Sequence, residues 1–552
     1  MSKPTRMPQE MVREYLERGL WSPDTMVRAL ERHATDVPDG EAMSDRQSRL
    51  TWAQVKNQSD LLALGLLDLG LKRDDLVLIQ LPNGVENLLV RIALKKAGLL
   101  AAFAPIMWRQ SEMGPMFRYL DPKAVLLVDE FRGFDYLEMM ASIRDEDRSQ
   151  AQPHLLVSGD RVPAGAISLN DLMQRRADPE IRPDCLDQTR YGPDEVSLLS
   201  LSSGSTGEPK VCEWPEGAQV LIGSGIASRL KLTREDVVGI FAPVGGGAGA
   251  MAWLIAAQLG CRMVLSESMA AETILELIER ERVSFMGTVP AILLRLLEHP
   301  DLSRYDLSSL RVIRTGTAAL LPSVAQEAEA KLGCVMAPAY GSMETVSIAQ
   351  AALDDPREIR LGGSVGRALP GIEVKLVDET NQEVPAGEVG ELWVRGPGTS
   401  SGYFRDLEAT RRAWGELGRE GWFRTGDLAG IDAQGNLSLL GRKKQVIIRG
   451  GNKVHPAEIE SILCRHPKVL EAAVVGVPHP VLGEVPCAFV IPRTGVDVVP
   501  EEFDAFLRSK NIASYKIPEE VLLMDEFPRL DSNKVNRLDL VQRFLSVRQA
   551  KE

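Results

Sequence analysis

Short, unbroken apolar runs alternate with leucine-rich segments of helical spacing through the first 440 or so residues. "DLVLIQL" (75–81), "KAVLLVD" and "HLLVSG" have the length and continuity of strands buried on both faces. Between them lie "SDLLALGLLDLGL" (59–71), which predicts a helix capped by Ser59, and "NGVENLLVRIALKKAGLLAAF", a helix running into an apolar segment. A strand buried on both faces needs helices above and below it. This alternation therefore predicts an α/β fold: a large N-terminal domain of helix-covered, mainly parallel sheets. A chain of 552 residues exceeds one ordinary domain.

The pattern changes between about 360 and 440. "GIEVKLVDETNQEVPAGEVGELWVRGPG" reads as strand–turn–strand and predicts a small, more antiparallel β-subdomain. After "GRKKQVIIRGGNKV" (441–454), helices ("PAEIESILCRH", "EEFDAFLRSK") mix with strands ("EAAVVGV", "CAFVIP"), as in a separate small α+β domain. The boundary is placed near Lys444, giving an N-terminal domain over 1–441 and a C-terminal domain over 444–552.

Charge narrows the partners. With 64 basic and 77 acidic side chains the net charge is −13, which disfavours nucleic acid. The six cysteines form no CxxC pair and no metal-ligand spacing. The longest apolar stretch, around "AGAMAWLIAAQLG", is too short and too Gly-rich to span a bilayer, and the N-terminus lacks a signal-peptide core. A cytoplasmic protein without stable membrane insertion is expected, either a monomer or a homodimer.

One stretch looks made for an anion. "LSSGSTGEPKV" (201–211) follows an apolar run and combines glycines, hydroxyls and a lysine. Where no Cβ intervenes, successive backbone N–H groups can converge on phosphate, and hydroxyls add donors. The Walker loop is excluded because Pro209 precedes Lys210 and Val211 follows it.

Distant segments give this loop its meaning. "SSGSTGEPK" resembles the [ST]SG[TS]TGxPK signature of the adenylate-forming superfamily: acyl-CoA synthetases, nonribosomal adenylation domains and luciferase. In the family's order follow "RTGTAAL" (314–320), "AYGSMET" (339–345), "WFRTGDLAGIDAQGNLSLLGRKKQVIIRGGNKVHPAEIE" (422–460) and "SYKIPEEVLLMDEFPRLDSNKVNRLDL" (514–540). The resemblance covers nearly the whole chain. Its N-terminal pattern looks like the branch of cyclohexanecarboxylate–CoA ligases and 2,3-dihydroxybenzoate–AMP ligases.

The resemblance implies a reaction in two halves: a carboxylate attacks the α-phosphorus of MgATP, then a thiol, commonly coenzyme A, displaces AMP. It implies that Ser202, Ser203, Gly204, Ser205, Thr206, Gly207 and Lys210 hold the ATP phosphates. Gly316, Thr317, Ala318, Ala339, Tyr340 and Gly341 would lie along the adenine, and Asp427 and Arg442 at the ribose. Lys534 would neutralise the approaching carboxylate and α-phosphate, and Glu344, with Thr206, would hold Mg2+. Lys444 would be the hinge of a mobile C-terminal lid, and Gly450 and Gly451 would border the CoA tunnel. Departures from the pattern are Met343 where Thr is usual, Leu530 for Thr and Asn533 for Gly.

The resemblance also implies an acyl pocket lined by Trp214, Pro243, Gly245, Gly246, Gly247, Thr315, Ser342 and Met343. Gly246 stands where many relatives carry a gating His or aromatic ring. Glycines make room, and none of these pocket segments holds Arg, Lys or His. The expected acid is therefore monocarboxylic, medium-sized and mostly apolar: alicyclic, aromatic or fatty. The leading expectation is an acid:CoA ligase. Its rivals are an acid–AMP ligase that loads a carrier protein and a non-catalytic nucleotide-binding paralogue.

Overall fold

The computed structural model describes residues 3–146, 152–174, 185–202, 210–316, 320, 322–385, 387–450, 452–493, 495–510, 512–530 and 534–549. Two large sheets form the body of the N-terminal region. In the first, strands Leu100–Phe103, Leu76–Gln80, Ala124–Val128 and His154–Ser158 run parallel in that spatial order. Strand Val196–Ser202 pairs parallel with Leu100–Phe103 and then turns back as a hairpin with Lys210–Pro215. The second sheet has nine strands. Its parallel centre includes Val237–Ile240, Phe285–Thr288, Val312–Thr315 and Val335–Tyr340. The apolar runs of the sequence are these strands, and Leu76–Gln80 is buried at every position.

One predicted boundary is corrected. The first long helix spans Trp52–Asp68 and is capped by Thr51 in a reciprocal box with Gln54. Ser59 lies in its middle, buried, and its hydroxyl donates back to Val55 O at 2.7 Å. A serine inside a helix can satisfy itself on the preceding turn and so imitates a cap in sequence.

The β-subdomain is an antiparallel sheet of four strands: Glu373–Val377, Gly390–Arg395, Phe423–Ile431 and Leu437–Arg442. A one-turn helix, Lys443–Gln445, leads into the C-terminal α+β domain. There strands Val469–His479 and Gly483–Pro492 form a long hairpin, and Glu520–Leu523 adds a parallel edge. Helices Pro456–Leu463 and Pro500–Ser509 bury Ile459, Leu463, Phe503 and Leu507 against this sheet. The domain rests on helix Pro322–Leu332 through Ser323 Oγ, which donates to Cys464 O at 3.3 Å, and the ion pair Arg493–Glu327 at 3.3 Å.

Cys212, Cys261, Cys334, Cys464 and Cys487 are buried free thiols, while Cys185 is half-buried. Burial pushes the thiols of Cys261, Cys334, Cys464 and Cys487 up to about 12. Among the described residues no helix is long and apolar enough to cross a membrane.

Candidate active site

Three of the segments singled out in the sequence follow the carboxyl ends of parallel strands, Val196–Ser202, Val312–Thr315 and Val335–Tyr340, where ligands bind in open α/β sheets. Strand Val196–Ser202 delivers the phosphate loop, and the antiparallel pair Ser202↔Lys210 closes that loop at its base. Ser203, Gly204, Ser205, Thr206 and Gly207 lie outside the described residues, as does the side chain of Ser202. Strand Val312–Thr315 leads to Gly316, whose added Cβ would sit 3.4 Å from Ala339 O. Thr317 and Ala318 lie outside the described residues. Thr315 is buried, and among the described residues its Oγ1 has no hydrogen-bond partner.

Strand Val335–Tyr340 ends at Tyr340, whose buried phenol donates to Asp427 Oδ2. Burial and the Asp427 charge together hold the Tyr340 proton on far above its ordinary range. Asp427 also accepts from Arg442 Nε at 3.1 Å. The pair is dictated by the fold, because Asp427 and Arg442 face each other across strands Phe423–Ile431 and Leu437–Arg442. Thr425 steadies the turn: its hydroxyl donates to Leu392 O at 2.7 Å and accepts from Asp427 N–H at 3.0 Å.

After Tyr340 the chain makes a tight turn. An added Cβ on Gly341 would stand 2.0 Å from Val346 O, so only glycine fits. Ser342 N–H donates to Thr345 Oγ1 at 3.0 Å, and Ser342 Oγ accepts from Glu344 N–H at 3.2 Å. Met343 packs partly buried against the main core. Glu344 Oε1 accepts from Tyr403 Oη at 2.8 Å. The Tyr403 ring in turn lies 5.6 Å from Lys210 Nζ, so Glu344 and the base of the phosphate loop share one aromatic neighbour. Tyr403 is absent from the residues singled out in the sequence; its trace is an aromatic pair, Tyr403 and Phe404, closing a run of small residues in "GTSSGYF".

Lys534 belongs to the C-terminal domain yet faces this group. It sits in a narrow turn where Leu530 N–H donates to Lys534 O at 2.8 Å and Arg529 bridges Val535. Solvent reaches its side chain, but enclosing protein still lowers its ammonium from the ordinary range. Arg442 lowers it further, while Asp427 and Glu344 act the other way. Asn533 lies outside the described residues.

The glycine segment has two characters. Asn83 clamps its start: Nδ2 donates to Ala242 O at 2.7 Å and Oδ1 accepts from Val244 N–H at 2.9 Å. Pro243, Gly245, Gly246 and Gly247 are exposed, and nothing stands within 4 Å of a Cβ added at Gly246. Helix Gly247–Leu259 starts there. Trp214 is a correction. Its strand is covered on both faces, so the indole is buried in the core cluster that also holds Trp21, Ala218 and Ile222, rather than in a pocket wall. Lys444 is exposed in the one-turn helix, beside Lys443, whose Nζ pairs with Glu391 at 2.9 Å. Gly450 holds a left-handed φ of 55°, and its N–H donates to Leu482 O at 2.8 Å. Gly451 lies outside the described residues. Among the described residues no three His, Cys, Asp or Glu side chains converge on a metal position.

Known proteins resemble this chain in sequence and fold. The model of the AMP-binding enzyme family matches residues 30–404, and that of the AMP-binding enzyme C-terminal domain matches residues 458–534. The chain is similar to the 2-hydroxy-7-methoxy-5-methyl-1-naphthoate–CoA ligase of Streptomyces carzinostaticus: 31% identical, covering 96% of this chain and 95% of that one. It is similar to the 2,3-dihydroxybenzoate-AMP ligase of Bacillus subtilis (strain 168): 30% identical, covering 97% and 96%. The ATP-bound structure of MatB from Rhodopseudomonas palustris superposes with a TM-score of 0.81 at 26% identity, over 94% of this chain and 99% of that one. From its phosphate loop to its C-terminal domain, the chain belongs to the AMP-binding family of adenylate-forming ligases.

Proposed function

We propose that the protein activates a carboxylic acid with ATP and then passes the acyl group to coenzyme A. In the first step a carboxylate oxygen attacks the α-phosphorus and pyrophosphate leaves. In the second, the CoA sulfur attacks the acyl carbon, AMP leaves and the thiol proton goes to solvent. The observation that carries this reading is Lys534, a C-terminal lysine whose charge answers to Asp427 and Glu344 of the other domain and to Arg442 at the junction. An acyl carboxylate and a triphosphate repel each other, so a cation at their meeting point serves the first step by charge neutralisation and positioning.

The remaining roles follow from chemistry. Asp427, already accepting from Tyr340 and Arg442, has the lone pairs to receive ribose hydroxyls. Tyr340 offers its ring to the adenine, with Gly316, Ala339 and Gly341 beside it and Thr317 and Ala318 completing the segment. Ser202 through Gly207 and Lys210 hold the β- and γ-phosphates. Glu344 fits Mg2+ of the kind that keeps its water and phosphate oxygens and takes one protein carboxylate, with Thr206 as a second oxygen. When bound, the ion neutralises phosphate charge. Thr315, Ser342, Met343 and the Pro243–Gly247 segment border the acyl pocket.

The second step requires the lid to turn. Lys444 stands exposed at the junction of domains 1–441 and 444–552, in a single helical turn. Rotation there would withdraw Lys534 and present Gly450 and Gly451 to pantetheine. A second reading, loading of a carrier protein, is favoured by the likeness to an AMP ligase.

Acid-dependent exchange of pyrophosphate into ATP tests the first step, and its absence across a broad acid panel would sink the proposal. With a responsive acid in hand, mass spectrometry after adding CoA distinguishes the two acceptors. An acyl-CoA product supports the ligase; an adenylate that persists until a carrier is supplied supports the alternative.

A further inference from the structure

Helix Val85–Ala97 carries three buried cations, and two of them, Lys95 and Lys96, meet carboxylates: Lys96 Nζ pairs with Asp60 and also donates to Ser59 Oγ at 2.9 Å. Lys95 Nζ meets Glu216 Oε1, Ser197 Oγ at 2.9 Å and Gln219 Oε1 at 3.0 Å. Arg91 is as deeply buried, at 5% exposure, but among the described residues no carboxylate pairs with it. Its Nε donates to Asn87 Oδ1 at 3.0 Å, and its buried Nη2 has no hydrogen-bond partner among the described residues. Burial alone brings this guanidinium down to about 9. The plane lies over the Phe103 ring, 3.4 Å from its centroid, which supplies attraction but no acceptor.

The direction of the unmatched nitrogen is informative. Nη2 lies 3.8 Å from the place a Cβ would take on Gly245. Gly245 belongs to the segment that Asn83 clamps, and Asn83 lies four residues before Asn87, which orients Arg91. One helix entrance thus fixes both the glycine segment and the guanidinium behind it. A charged donor left unpaired in protein is costly unless something supplies the acceptor.

We propose that Arg91 is a specificity-determining residue whose partner is a second anionic oxygen group on the acid substrate. Such an acid carries a carboxylate or phenolate besides the carboxylate that is activated. This rests on the reading above that Gly245–Gly247 borders the acyl pocket. It revises the expectation of a monocarboxylic, apolar acid, which considered cations only within the pocket segments; Arg91 arrives from a helix about 150 residues earlier in the chain.

The test compares aliphatic diacids and benzenedicarboxylates with their monomethyl esters in pyrophosphate exchange, for the wild type, Arg91→Met and Arg91→Lys. The wild type should prefer the best diacid over its ester by about 10²-fold or more in kcat/KM, as expected where a buried donor loses its acceptor. Arg91→Met should erase most of that preference through the KM of the diacid, and Arg91→Lys should retain part of it. Both variants should melt no lower than the wild type, because an unpaired buried charge is being removed or shortened. No diacid preference in the wild type, or an equal loss on both acids in Arg91→Met, overturns the proposal. If no acid supports exchange, the adenylation reading fails separately, and calorimetric binding of diacid and ester then decides. Diacid binding lost in Arg91→Met upholds Arg91 as the anchor; equal binding of both acids, or none, overturns it.

Discussion

The two walls of the cleft are built on opposite plans. On the nucleotide side, polar groups are already joined to one another: Tyr340 and Arg442 to Asp427, Tyr403 to Glu344, Thr425 to both Leu392 and Asp427. On the proposed acyl side, three glycines lie open and Arg91 Nη2 has no partner among the described residues. A wall whose groups hold each other can meet one constant ligand without rearrangement. A wall with open space and an unmatched donor is completed by whatever acid arrives. Under the proposed function, preorganisation would belong to the nucleotide side and adaptability to the acid side.

The strongest way to break this contrast is Lys534→Ala. Pyrophosphate exchange should fall by about 10²–10³-fold, the effect of removing one strong electrostatic contact. Thioester formation from supplied acyl-adenylate should be largely spared, and an equal loss of both would overturn the two-position lid. The same residue sets a pH limit. Its ammonium is lowered from the ordinary lysine range, so exchange should begin to decline on the alkaline side earlier than a free lysine would dictate. That limb should vanish from the pH profile of Lys534→Ala.

A single methyl group placed on each wall sharpens the comparison. Gly341→Ala drives a carbon into Val346 O and should cost about 2–4 kcal/mol in denaturant unfolding. Gly246→Ala enters open space at an extended φ of −164° and should cost at most about 1 kcal/mol, the price of a poorer helix cap. Its effect should instead be a narrowed choice of acids. Equal destabilisation by both would show that the walls do not differ in rigidity. The smallest expected change is Tyr403→Phe, which removes one hydrogen bond to Glu344. Exchange should slow by about fivefold, equivalent to roughly 1 kcal/mol, with no change in acid preference.

How far the sequence could be read differs in the same way. The strands announced themselves because burial on both faces leaves unbroken apolar runs, as in Leu76–Gln80. Asp427 and Arg442 were legible as motif residues, and the cross-strand register then explains why the two belong together. Ser59 and Trp214 misled because a serine can bond its own helix and an indole can fill a core; neither residue type declares its surroundings. Arg91 was invisible as a site residue. Its neighbours in sequence are helix neighbours, whereas its relation to Gly245 exists only after two sheets have been brought together.

The muted cysteines have a consequence for a protein proposed to handle a thiol. Thiolate is the species that attacks disulfides and forms adducts. Cys261, Cys334, Cys464 and Cys487, buried and holding their protons to about 12, offer little to trap coenzyme A as a mixed disulfide, which leaves half-buried Cys185 as the most accessible thiol. In the folded protein, a thiol-specific dye would then read the disappearance of coenzyme A against a background set mainly by Cys185.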